Sequence, residues 1–165
     1  MNLTNKYWKI GLYTGQMYLV GAVYHIYTGL LGPSRPINLA IICSSIYVTT
    51  MAHWHNMKPS GIAKTVDMVV VVTSALFVSL KESHKWNPIY GGRKLWNSVL
   101  LMGGVTYVVN AVILSVPVLL PIDDERLQLA TTVAHTFWLH VMTNVVAMWC
   151  VWCETCVVYT GEDLH

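Results

Sequence analysis

The side chains best suited to chemistry are histidines set in long uncharged runs. His25 lies about two thirds of the way along the run Ile10 to Leu31, and His140 near the middle of the run Leu127 to Cys153. Neutral imidazoles from two helices at a similar depth could ligate a b-type haem. His25 with His140 is the preferred pair, His135 is a third candidate, and a quinone is the other cofactor such a site could hold. The competing reading is plain packing, with each imidazole bonded to a Thr, Tyr or carbonyl across a helix interface. The run that carries His140 has no glycine to make room for a porphyrin. Thr136, His140 and Asn144 recur every four residues and share a helix face, as do Thr106 and Asn110. Thr14, Tyr18, Gly21, His25 and Thr28 form a comparable stripe, beside a Gly11/Gly15 pair that admits a close neighbour.

Other patterns point less far. His53 and His55 alternate, which puts their rings on different helix faces, and no His-x-x-His-His box of a membrane di-iron enzyme occurs. No metal site and no catalytic set is therefore expected, and the balance leans away from an enzyme. Cys150, Cys153 and Cys156 repeat every three residues, with Cys43 expected at a similar depth. A thiol oxidoreductase of the vitamin K epoxide reductase type would need a further cysteine pair in a loop. The Gly32–Pro36 connector has none, and buried thiols in apolar helices behave mostly as small hydrophobes. Asp67 is the one carboxylate candidate within a span, and Lys64 three residues before it can pair with it.

The elements that position these groups follow from composition. The chain has 165 residues, 55% apolar and 11% charged, with a net charge of +2. Charge this scarce, with uncharged runs long enough to cross a bilayer core of about 30 Å, excludes an ordinary soluble domain. The near-neutral balance also provides no basic field for nucleic acid. The reading is an all-α, polytopic membrane bundle forming a single domain over residues 1–165. Its five transmembrane helices lie near 10–31, 37–54, 62–80, 95–120 and 127–153. The third is weakest, because Met68 to Leu80 alone is short, and four spans plus a re-entrant segment is the alternative.

The connectors agree with this division. Gly32–Pro36 and Pro59–Gly61 read as turns, Pro117 as a kink, and Asp123 or Asp124 as the cap of the last helix. The N-terminus lacks the pattern of a cleaved secretory signal or an Arg-rich presequence. Basic residues divide evenly between the two sides, so the positive-inside rule assigns no orientation. The loop from Lys81 to Lys94 mixes bases with aromatics. Lys81, Lys85, Trp86, Arg93 and Lys94 are its candidates for contact with anionic lipid.

Three functional classes fit. The preferred one is a non-catalytic accessory subunit of a larger membrane complex, bound to other membrane subunits and bilayer lipids. Small polytopic subunits of this kind belong to organelle respiratory or energy-transducing assemblies, which places the chain in the mitochondrial inner membrane. The second is a haem- or quinone-binding anchor of an electron-transfer complex. The third is a small lipid-modifying enzyme with the His and Thr residues of the last span lining its pocket.

Overall fold

The computed structural model describes residues 8–31, 36–55, 62–86, 88–115 and 125–160, and the described chain is all helical. Helix α1 runs Trp8–Leu31, α2 Ile37–His55, α3 Ile62–Phe77, α4 Gly92–Ser115, α5 Glu125–Thr136 and α6 Thr143–Thr160. The last two form one continuous rod, joined by a wider π turn at Phe137–Met142. Five rods therefore stand where five were expected. Three are long and apolar enough to cross a membrane: Ile37–His55, Ile62–Glu82 and Leu129–Cys156. That is the makeup of an integral membrane protein. In lipid a helix is favoured because it satisfies its own backbone. The third rod is a helix of 21 residues, long and apolar enough to cross, and closes in a second π turn at Val78–Glu82.

Glycines decide how closely the rods approach. A Cβ on Gly15 would stand 2.5 Å from Met51 Cε, and one on Gly11 would collide with the Trp54 ring, so α1 and α2 pack along their backbones. The Gly11/Gly15 pair thus serves packing. On its other side α1 meets the α5–α6 rod, where a Cβ on Gly21 would lie 2.5 Å from Asn144 Oδ1 and 3.2 Å from Cys43 Sγ. Helix α4 lies on the α5–α6 rod, with Gly103 under Leu139. Helix α3 packs on α2, and its α-helical part, Ile62–Phe77, contains no buried residue.

The apolar core gathers at the far end of α3. Leu39, Val78, Trp86, Trp96, Val99, Val146, Ala147, Cys150 and Val151 form one buried cluster. Trp86 and Trp96 meet edge to face, with centroids 5.7 Å apart. This corrects the lipid-facing reading of the loop at one residue. Trp86 is only 7% exposed and belongs to the core. Lys85 pairs with Glu82, 2.9 Å from its Oε1, while Asn38 donates to the same oxygen at 2.9 Å. Lys81, Lys85, Arg93 and Lys94 are on the outside. Gly91, at φ 63°, supplies the left-handed turn that opens α4.

The remaining connector readings (32–35, 59–61, Pro117, Asp123 and Asp124) lie outside the described residues. Gly21→Val, which drives a branched side chain into Asn144, is expected to cost about 1–3 kcal/mol. Gly104→Ala, whose Cβ meets nothing within 4 Å, should stay within about 0.5 kcal/mol of the parent. Thermal unfolding of both variants in detergent micelles checks the pair.

Candidate functional site

The site is built around the π turn in the last rod. A π turn displaces backbone carbonyls from their usual helical partners, and such turns recur at functional positions. Here side chains take over. Tyr18 Oη on α1 donates to the Leu139 carbonyl at 2.7 Å, and Thr143 Oγ1 donates to the same oxygen. Asn144 Nδ2 donates to the His140 carbonyl at 2.7 Å. Asn144 Oδ1 in turn accepts from the Cys43 thiol at 3.5 Å.

His140 is buried against α1. Thr14 Oγ1 lies 2.9 Å from His140 Nδ1 and 2.8 Å from the Ile10 carbonyl, so the imidazole is tied to α1 through that hydroxyl. The ring of His135 stands 5.8 Å from that of His140, and Tyr107 stacks on the other side of His135 at 5.6 Å. His135 Nδ1 is buried without a hydrogen-bond partner, and so is His53 Nδ1 on α2.

Asp67 completes the group from α3. Its Oδ1 accepts hydroxyl protons from Thr49 and Thr50, each at 2.9 Å. This corrects the expected Lys64 pairing: no ion pair joins Lys64 to Asp67 among the described residues, because two hydroxyls of α2 reach the carboxylate instead. Nearby, Tyr107 Oη donates to Met68 Sδ at 3.1 Å, bridging α4 to α3. Asp67, three imidazoles, Tyr107 and a set of hydroxyls from all five rods thus occupy the half of the bundle where α1 begins and α2 ends. At about 1.5 Å per residue, Asp67 lies roughly 8 Å along α3 from Ile62, and His135 roughly 9 Å from Leu129.

His25 stands apart. It is 0% exposed, neither ring nitrogen has a hydrogen-bond partner, and the Tyr24 ring meets it edge-on at 5.4 Å. It lies eleven residues beyond Thr14, roughly 16 Å further along α1. His25 and His140 are therefore at different levels, and the ring that joins His140 is His135. Cys43 likewise sits level with Asn144, short of Cys150 and Cys153, so the four thiols do not gather. Cys150 and Cys153 line a shallow surface crevice with Trp86, Tyr90, Gly92, Trp149 and Glu154, too tight to hold a small molecule.

Sequence reasoning weighed His53 and Asp67 separately without naming either as a site residue, and passed over Thr49 and Thr50. The available signal was two adjacent hydroxyls ahead of His53, together with an aspartate inside an otherwise apolar run. Comparison with known protein families, with curated proteins and with solved structures finds no match for this chain. Its class rests on fold and site: an all-α chain with three candidate membrane-spanning helices and a buried polar centre. Tyr18→Phe is expected to destabilise it by about 0.5–1.5 kcal/mol. Tyr18→Phe with Thr143→Val, which strips both donors from the Leu139 carbonyl, should cost more than the sum of the two. Denaturation of the three variants in micelles measures the coupling.

Proposed function

We propose that this chain is a small membrane enzyme that hydrolyses an acyl bond of a membrane lipid, with the Asp67–His53–His135–His140 group as its reactive centre. One observation carries the reading: Asp67, held by two threonine hydroxyls of α2, and the paired rings of His135 and His140 sit among hydroxyls in the same half of an apolar bundle. Ionisable groups at membrane depth are costly, and they mark sites of function. A subunit that only packs has no use for buried imidazole nitrogens without partners. In this reading all five rods cross the membrane, and the centre lies several ångströms below one interface, where the ester and amide bonds of lipids reside. Asp67 is placed as general base, the hydroxyls fix its orientation, and the imidazoles stabilise charge.

The accessory-subunit reading, in a mitochondrial or other energy-transducing membrane, remains as the second. The bare flank of α3 favours it, since a partner helix could cover an apolar rod that touches its own chain mainly through α2.

Purified protein in mixed micelles with ester- and amide-linked lipids should release fatty acid. Asp67→Asn should slow that release about 10²–10⁴-fold, while Thr28→Ala, remote from the centre, leaves it unchanged. If the parent protein releases none from either lipid class, the enzymatic reading fails.

A further inference from the structure

The packing of α3 against α4 gathers basic residues at the end of the bundle opposite the polar centre. Two ties set the register of these rods: Tyr107 Oη to Met68 Sδ at 3.1 Å, and Trp96 Nε1 to Ser79 Oγ at 3.0 Å. Eleven residues separate the two ties on each rod, so the rods run antiparallel in one register. That register puts Lys81 level with Lys94 and Glu82 level with Arg93, about 3–5 Å beyond the Trp96 tie. Lys85 joins them on the connecting segment, which Trp86 pins to the core. All four cations are exposed. Lys85 pairs with Glu82, which is buried and also takes Asn38. Lys81, Arg93 and Lys94 make no ion pair or side-chain hydrogen bond among the described residues. The other described acid at this end is Glu154, beside the crevice. No acid in the first turn of α4 offsets Arg93 and Lys94 at the positive end of that helix.

Three like charges held near one level repel one another, and an anion relieves them. Apolar side chains stand among these cations: Leu80 and Ile89 are each 65% exposed, and Tyr90 and Leu95 are exposed as well. They continue the bare apolar flank of α3, and Lys81 stands in the last turn of the candidate span Ile62–Glu82. That is the depth at which acyl chains give way to headgroups. A soluble acidic partner would leave the apolar flank unmatched, whereas a bilayer meets both halves of the surface. Acyl chains cover Leu80 and Ile89 while the flexible basic side chains reach the phosphates. We infer that this end of the bundle is a docking surface for anionic phospholipid headgroups, with Lys81, Arg93 and Lys94 on the phosphate oxygens. Lys85, held by Glu82, contributes less. The surface is separate from the Asp67 centre, so it stands whether or not the chain hydrolyses lipid.

The test places the full chain in mixed micelles holding equal amounts of phosphatidylcholine and phosphatidylglycerol, and counts retained lipid by native mass spectrometry. The parent protein should enrich phosphatidylglycerol. A basic residue near an anionic surface contributes about 5-fold, so the triple variant Lys81→Gln, Arg93→Gln, Lys94→Gln should lose up to about 10²-fold of the enrichment. Lys81→Arg with Lys94→Arg, which keeps both charges, should retain it, and so should Lys64→Gln, a cation at the opposite end. Helical circular dichroism identifies any loss that comes from misfolding. Equal retention of the two lipids by the folded parent protein overturns the inference, as does enrichment that survives in the folded triple variant. Displacement of the lipid by inorganic phosphate, but not by chloride of the same ionic strength, overturns the choice of a lipid headgroup over free phosphate. Displacement by soluble polyglutamate under the same control overturns it in favour of an acidic protein partner.

Discussion

The Leu139 carbonyl is the point on which the interior is organised. A backbone oxygen displaced from its helical ladder inside lipid has no water to turn to, and leaving it bare would cost several kcal/mol. Tyr18 reaches it from α1 and Thr143 from the next turn of its own rod. That bond fixes the register between the two rods. Once Tyr18 is set, Thr14 falls opposite His140 and Gly21 opposite Asn144. The carbonyl bond thus determines which imidazole is tied down and which remain free.

The rods themselves could be read from the sequence, because a run without charge that is long enough to cross lipid has few alternatives to a helix. Ile37 to Trp54 was expected and Ile37–His55 is found; even the short third segment is a full rod once Lys64 and Asp67 are admitted. What lay beyond reach was the choice of partners. Spacing by four places Thr136, His140 and Asn144 on one face, but it cannot say that the π turn will shift His140 towards Thr14. This π turn takes a donor from another rod, Tyr18, and such a donor is invisible in a local window. The same limit applies to Asp67. Lys64 is the obvious partner along the chain, while Thr49 and Thr50 become neighbours only when α2 lies beside α3. In the loop, Trp86 has the composition of a headgroup contact, yet Trp96 and the core cluster bury more of its surface than an interface would.

The two ends of the bundle divide the work. One end is dry and close-packed, held by paired indoles, valines and small thiols around Ala147. The other collects most of the hydrogen bonds between rods, Asn38 to Glu82 and Trp96 to Ser79 apart. Such segregation is economical in a chain of this size, since rigidity at one end lets the opposite end hold polar groups in place without a large core of its own. The glycines follow the same division: Gly11, Gly15 and Gly21 bring α1 and α2 close where hydroxyls must meet across rods.

The way α3 is attached has a mechanical consequence. It is fastened along one flank to α2 and clamped at its far end, where Glu82 takes Asn38 and Trp96 donates to Ser79 at 3.0 Å. At its near end the tie to α4 is a hydroxyl–thioether contact, a weak bond. A beam fixed at one end is most compliant at the other, and there the two threonine hydroxyls on Asp67 are the fasteners that hold α3 against α2.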